Sequence, residues 1–494
     1  MNNNDLYALS KEELIANILL LQQQVAELKR LIFGQKRERF IPSDSAQATL
    51  FDMEELSVEQ DAVEISYKRS KTKKQSPHSR NPLPSNLPRK EIIIEPEGID
   101  LNKMKKIGEE ITEELEYEEA KLYVNKYIRP KYVAIDRNES YKSSVVIADM
   151  PERVIPKGIA GAGLIAHIII SKFIDHLPIY RIRKQFKRLG VDLAESTIND
   201  WVKQTAILLE PLYNLIKAVV LSGDYLMVDE TAVKVLDKKL KGKTHTGYHW
   251  VYYDPIHKML FFEYRRGRHK QFPMETLSQF RGAVQTDGYA GYNEVVKRSD
   301  IIGLACFAHA RRKFERALSN DKKHAGWFLK RIQYLYLVER VAREKGLSAE
   351  QRYHFRQRHS IRVLKRMREW MIENRRQMLP ASQIGKAIDY TLSLWKRLIA
   401  YTEDGRYEID NNLVENSIRP VAIGRKNYLF AGSHEGAKWA AIFYTIMANA
   451  ELQGVEPKTY FKDLLKKIPG YSVKRLHELL PENRQPLFKD TDAA

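Results

Sequence analysis

The sequence predicts a multidomain α/β protein in which a mixed-sheet core carries a large helical insertion, with a coiled-coil helix at the N-terminus. Three observations predict it. The chain has 494 residues, too many for one ordinary hydrophobic core. Between Tyr225 and Ala308, five short runs rich in β-branched and aromatic residues are separated by turn residues, while helical periodicity dominates on both sides. Near the start, Leu14, Ile18, Leu21, Val25, Leu28 and Ile32 alternate at spacings of four and three, the seam of a coiled coil.

That seam defines a leucine-zipper-like helix over residues 8–40. It suits a coiled-coil dimer or an amphipathic helix docked on its own chain. Residues 41–88 lose periodicity and read as a linker: acidic from Asp52 to Glu64, then basic at Lys68, Arg69, Lys71, Lys73 and Lys74, then proline-rich. The basic run either touches phosphates or is simply solvated. Residues 89–140 alternate strand-like pieces (EIIIEP, KLYVNKYI, KYVAI) with an acidic stretch, which suggests a small mixed module.

Residues 150–222 are helical. The most apolar run, Ile159 to Ile170, is short and contains His167, so it reads as a buried helix and no membrane span is expected. Further on, YRIRKQFKRLG runs into VDLAESTINDWV. A basic helix holding Lys184 and Arg188, a turn opened by Gly190, a cap at Ser196 and a second helix ending near Trp201 make a helix-turn-helix candidate. An ordinary helical hairpin has the same pattern.

The five strand-like runs are YLMVDETAVKVL, YHWVYYDP, KMLFFEYR, GAVQTDGY and IIGLACFAH. Three in hairpin spacing, then a fourth and a fifth, then helices, is the order of a ribonuclease H-like sheet. The core is placed at residues 223–432, with the helical insertion at about 320–405. A helical unit at 433–475 and a tail at 476–494 complete the chain.

Charge points to a polyanion. Lys and Arg number 82 against 63 Asp and Glu, a formal net charge of +19. His309 to Arg376 holds 20 of the basic residues and 7 of the acidic ones, a net +13, as expected of salt-sensitive, sequence-independent binding to phosphates. Trp327, Tyr334, Tyr336, Tyr353 and Trp370 are interleaved there, as core or as base-stacking platforms. The N-terminus lacks a basic stretch followed by an apolar one, so a cytoplasmic protein is expected. Cys306 is the only cysteine, which excludes disulfides and a cysteine-based zinc site.

Asp229 lies mid-strand in LMVDETAV, where a charge among apolar neighbours is unfavourable unless something pairs with it. Asp287 ends another apolar strand, just before the turn GYAGY. Two such carboxylates can converge at one edge of a sheet, as two-metal phosphoryl transfer requires. Glu415 is the best third carboxylate: Asp410 or Asn411 can cap a short helix in which Glu415 stands one turn before Arg419. Taken singly, each has an ordinary alternative, a turn or edge Asp or a surface ion pair. His309, Arg311 and Arg312 follow the fifth strand and either reach phosphate or serve structure.

The segments VDETAVKV, QTDGYAGY, FAHARRKFERAL and IDNNLVENSIRPVAIGRKNYLFAGSHEGA resemble the transposases of the insertion sequence 66 family, as do LKRLIFGQKRERF, NPLPSNLPRKEI, IRPKY and SKFIDHLPIYRIRKQFKRLGV. The resemblance runs from about residue 10 to about 465. It implies a zipper-like helix, a zinc-ribbon-like module and a ribonuclease H-like catalytic domain. It also implies a DDE mechanism, in which water cuts the element's ends and the freed 3′-OH joins target DNA. The implied triad is Asp229, Asp287 and Glu415, holding two Mg²⁺ or Mn²⁺ ions. Candidate DNA contacts are His309, Arg311, Arg312, Arg419, Arg425, Lys426, Lys184 and Arg188. The implied partners are the element's terminal repeats and target DNA, a second copy of the chain in a homodimer or higher assembly, and accessory proteins of the same element.

One departure stands out. The family's module carries paired cysteines, which would fall near residues 97–100 and 134–137, but Glu97, Asp100, Ala134 and Arg137 stand there. No zinc is therefore expected. Two rival readings are a catalytically idle DNA-binding relic, which would be free to lose the three carboxylates, and a ribonuclease H-like nuclease acting on RNA–DNA hybrids.

Overall fold

An acidic strand laid against a basic one makes the longest pairing of the first sheet. The computed structural model describes residues 83, 87–96, 98, 104–118, 121–134, 145–237, 239 and 243–483. The zipper-like helix, nearly all of the linker, and Glu97, Asp100 and Arg137 lie outside the described residues. Strands β1 (Arg89–Ile93), β2 (Met104–Glu118), β3 (Lys121–Ala134) and β4 (Val146–Ile147) form one mixed sheet. β1 runs parallel to β3, and β2 and β4 run antiparallel to it. The acidic stretch that interrupts the strand-like pieces in the sequence is thus itself a strand. Its carboxylates are matched across the ladder, where Glu110 faces Arg129 and Glu113 faces Lys126, and Arg129 Nη2 lies 2.8 Å from Glu110 Oε1.

Helix α1 (Ala162–Phe173) is the buried apolar helix expected from the sequence. Helix α2 (Ile179–Arg188) buries Ile179, Ile182 and Phe186 and exposes Lys184, Lys187 and Arg188. After Gly190, whose φ is +85°, comes α3 (Glu195–Leu221). Two details differ from the sequence reading. Ala194, not Ser196, takes the N-cap position, without a side-chain cap. The helix also does not end near Trp201, because its buried stripe continues through Thr205, Leu209, Leu212, Ile216 and Val220. By length and composition alone α3 could cross a membrane. Its exposed face, however, carries Glu195, Asp200, Lys203 and Glu210, the pattern of an amphipathic helix in a folded domain.

The five runs between Tyr225 and Ala308 are five strands: β5 (Tyr225–Leu236), β6 (Thr244–Asp254), β7 (Met259–Arg265), β8 (Gly282–Thr286) and β9 (Ile301–Ala305). Two short helices, α4 (Gln271–Thr276) and α5 (Asn293–Val296), lie in their connections. The sheet order is β7-β6-β5-β8-β9. β6 runs antiparallel to both of its neighbours, β5 and β7, whereas β8 and β9 run parallel to β5. β5 is therefore central, and its first four residues are completely buried. Gly282 starts β8 at φ +119°, and a Cβ there would collide with the Asp224 carbonyl.

Six helices follow: α6 (Phe307–Ala317), α7 (Lys322–Glu344), α8 (Ala349–His359), α9 (Ile361–Arg375), α10 (Gln383–Ser393) and α11 (Trp395–Ile399). Ser348 and Gln351 start α8 with a reciprocal capping box. Of the interleaved aromatics, Trp327 and Trp370 stack on each other at 4.4 Å, while Tyr334 and Tyr353 stay exposed. One buried ion pair organises this region. Arg356 and Glu339 are both fully buried and bidentate, at 2.8 and 2.7 Å. The same guanidinium donates to the carbonyls of Tyr401, Asp404 and Tyr407 at 2.6, 2.8 and 2.7 Å. The insertion thereby holds the segment that leads back to the sheet.

Helix α12 (Asn412–Tyr428) is 17 residues long and passes through Pro420, so it is not the short helix expected. Helix α13 (His434–Leu452) covers the outer edge of β7. Asn449 Oδ1 accepts from Leu260 N at 2.9 Å, and its Nδ2 donates to Leu260 O at 2.8 Å. Thr445 Oγ1 accepts from Phe262 N at 2.9 Å. These side chains satisfy edge groups that would otherwise invite another strand. After α14 (Pro457–Lys467) come two 3₁₀ turns, Val473–Leu479 and Pro481–Asn483. Within the segment expected to be a tail, Leu476, Leu479 and Leu480 are buried.

Replacing Arg356 with Met leaves buried Glu339 with only the longer contact to Arg352, at 3.5 Å, and the expected loss is about 3–5 kcal/mol. Pairing it with Glu339→Leu should recover part of that loss, the part not owed to the three carbonyls. Thermal unfolding of the two variants checks this, and equal destabilisation by both would contradict it.

Candidate active site

The parallel register of the central strands brings two carboxylates side by side. β5 and β8 pair Tyr225 with Ala283, Leu226 with Val284 and Met227 with Gln285. Carried two residues further, that register sets Asp229 level with Asp287 on neighbouring strands, which are spaced about 4.8 Å apart in a sheet. Asp229 lies within β5, and Asp287 directly follows the last residue of β8. β8 stops there because Gly288, at φ +90°, turns the chain away. Asp287 Oδ1 accepts from Tyr289 N at 2.8 Å, and Tyr390 of the insertion donates to the Asp287 carbonyl at 2.7 Å.

Glu415 arrives from the first turn of α12. Asn411, at the N-cap position, ties that turn to the sheet. Its amide Nδ2 donates to Val228 O at 3.4 Å, and its backbone N donates to Cys306 Sγ at 3.2 Å. Glu415 is 9% exposed and turns inward. It pairs with Arg312, whose Nη2 lies 2.7 Å from Oε2. His309 Nδ1 is 3.7 Å from Oε1, and Arg312 Nη1 stands 3.2 Å from His309 Nε2.

Charge is concentrated here without full compensation. The Asp229 carboxyl is pushed well above its usual range, first by burial and then by Asp287, Glu230 and Glu415. Among the described residues, neither Asp229 nor Asp287 has an ion-pair partner. Glu230 does have partners: it pairs with Arg268 and accepts from the Tyr292 hydroxyl. Burial lowers the His309 imidazole, against the pull of Glu415 and Asp287. Glu415 Oε1, His309 Nδ1 and Asn411 Oδ1 are buried without a hydrogen-bond partner. Clustered carboxylate oxygens with unpaired acceptors fit hard divalent cations.

The other sequence candidates scatter. Arg311 is on the exposed side of α6, 2.9 Å from Glu315. Arg419 lines a separate cleft of about 270 Å³ with Phe262, Tyr444 and Glu451. Arg425 donates to Thr231 Oγ1 at 2.9 Å and Ala232 O at 2.7 Å, which fastens α12 to β5. Lys426, Lys184 and Arg188 are exposed. Sequence reasoning named Asn411 as a possible cap but not its ties to Val228 and Cys306, and it passed over Glu230, Arg268 and Tyr390. Glu230 had a local signal, being next to Asp229, but the others act through contacts that no local pattern encodes.

Comparison with known proteins places the chain in a family. A family model described as "Transposase IS66 family" matches residues 157–439, and one described as "Transposase C of IS166 homeodomain" matches residues 20–92. The uncharacterized protein y4jD of Sinorhizobium fredii is 31% identical over 96% of this chain and 96% of its own length. A second, y4hP of the same organism, is 30% identical over 94% of this chain and 88% of its own. No solved structure matches.

Asp229 binds its proton more tightly when folded than when unfolded. The stability this contributes is complete below the usual aspartate pKa, about 4, and is lost as pH rises through the raised folded value. At neutral pH without divalent ions, Asp287→Asn should therefore raise the unfolding midpoint. It should also blunt the stabilisation that Mg²⁺ confers. A lower midpoint in Mg²⁺-free buffer would contradict this electrostatic account.

Proposed function

Because this chain belongs to the IS66 family of transposases, we propose that it cuts DNA at its element's ends and joins those ends to target DNA, through Asp229, Asp287 and Glu415. The observation that carries the reading is the register of β5 and β8, with Glu415 turned in toward the same place. The strand order β7-β6-β5-β8-β9 supports a ribonuclease H-like core. The three carboxylates hold two divalent cations, Mg²⁺ or Mn²⁺, which when bound activate the attacking oxygen and stabilise the leaving one.

The chain's own side chains bind and orient. Tyr390 and the Gly288 turn fix where Asp287 stands. Asn411 and Arg425 fix α12, and with it Glu415. Arg312 balances Glu415 and, with His309, lies where a phosphate approaches. Exposed Lys184, Arg188, Arg311 and Lys426 serve the DNA backbone, supplemented by the basic insertion. The protein acts in the cytoplasm as a homodimer or higher assembly on DNA, aided by accessory proteins of its element. The small N-terminal sheet needs no zinc.

In a cleavage assay on terminal-repeat DNA with Mg²⁺ or Mn²⁺, Asp229→Asn should reduce cutting to background. Its DNA affinity should stay within about twofold, because phosphate contacts dominate binding. Residual cutting at wild-type rates would overturn the assignment, and preferential cutting of an RNA–DNA hybrid would favour a nuclease. Loss of Lys184 and Arg188 together should lower the salt slope of DNA binding by about 2. An unchanged slope would remove α2 from the interface.

A further inference from the structure

Cys306, His309 and Glu415 bring three different donor atoms together beside the carboxylate pair. Cys306 is the N-cap residue of α6, and His309 lies in that helix's first turn, three residues on and on the same face. Glu415 comes from the first turn of α12. Phe307 N donates to Ile409 O at 3.2 Å, which pins the start of α6 to the approach to α12. One ligand atom from each of the three residues lies within 4.8 Å of the others. Cys306 and Glu415 are 1% and 9% exposed, and Glu415 Oε1 and His309 Nδ1 have no hydrogen-bond partner.

We propose that Cys306, His309 and Glu415 form a binding site for a thiophilic divalent cation of the zinc class. A tetrahedral zinc site has bonds of about 2.0–2.3 Å, and hence donor atoms about 3.3–3.8 Å apart. The 3.7 Å between His309 Nδ1 and Glu415 Oε1 already falls in that range. A thiolate in the set selects the zinc class over Mg²⁺, and three protein ligands leave a fourth position open. On binding, the thiol releases its proton to solvent. A count of cysteines in the sequence argues against a site built from several of them, but one thiol suffices when imidazole and carboxylate complete the set.

Arg312 opposes binding. Its Nη1 stands on His309 Nε2, 3.2 Å away, and its Nη2 holds Glu415 Oε2 at 2.7 Å. A ligating imidazole needs its other ring nitrogen to donate to an acceptor, so cation entry displaces Arg312 from the ring. A cation held there also draws Glu415 away from Asp229 and Asp287. Inhibition of Mg²⁺-dependent cutting by zinc-class ions follows, and this consequence alone rests on the functional reading above.

The test is an anaerobic titration of the full-length chain with Co²⁺, followed by absorption spectroscopy. The expected result is a near-ultraviolet thiolate-to-cobalt band that saturates at one ion per chain and is reversed by Zn²⁺. Cys306 is the only cysteine, so the band belongs to it, and the near-isosteric Cys306→Ser should abolish it. His309→Ala and Glu415→Gln should each weaken binding at least about tenfold. Arg312→Gln, which offers Nε2 an acceptor, should tighten it. Asp229→Asn, which removes no ligand of this site, should change binding less than His309→Ala or Glu415→Gln does, which separates failure of this site from failure of the catalytic assignment. The absence of a thiolate band would overturn the proposal. So would a band whose affinity survives both His309→Ala and Glu415→Gln, or one that Asp229→Asn abolishes.

Discussion

A carboxylate set among the apolar residues of a central strand is tolerable only if it is neutral or faces a cation. Asp229 is in that position, and Asp287 and Glu415 make its ionisation harder still. The fold leaves that imbalance in place. It supplies counter-charges to the neighbours, Arg268 to Glu230 and Arg312 to Glu415. Among the described residues it supplies none to Asp229 or Asp287. The proposed function turns on that imbalance, because hard divalent cations suit clustered oxygen donors.

The rest of the architecture serves to hold these groups in place. Pairing of β5 with β8 fixes the two aspartates relative to each other. The third carboxylate needs a longer route, because the whole helical insertion separates it from β9. The buried Arg356–Glu339 pair grips the carbonyls of Tyr401, Asp404 and Tyr407 just before α12 begins. Asn411 and Arg425 then fasten α12 to β5 near both of its ends. The insertion is thus a structural brace as well as a basic surface. Behind it, α13 closes the open edge of β7 with Asn449 and Thr445.

Local patterns carried the sheet. Strand alternation located β5 to β9, and a charge within an apolar run singled out Asp229 and Asp287. Glu415 was legible only through its flanking motif, because a helical Glu four residues before an Arg has the pattern of a surface pair. Its real partner, Arg312, is 103 residues away, and no local window contains both. β2 was hidden by its acidic composition, whose neutralisation depends on β3. The extent of α3 was misjudged because a turn and a polar stretch near its start resemble a complete short helix. The Arg356 clamp left no trace, since an Arg in a basic segment looks like any other.

The central claim is that three carboxylates from distant parts of the chain hold one pair of cations. Electron paramagnetic resonance of Mn²⁺ bound to the full-length chain on terminal-repeat DNA tests it directly. The account predicts two Mn²⁺ ions per chain, about 3.5–4 Å apart and spin-coupled, with the coupling lost in Asp287→Asn and in Glu415→Gln. Isolated Mn²⁺ signals in the wild type, or a coupled pair that survives both substitutions, would contradict it.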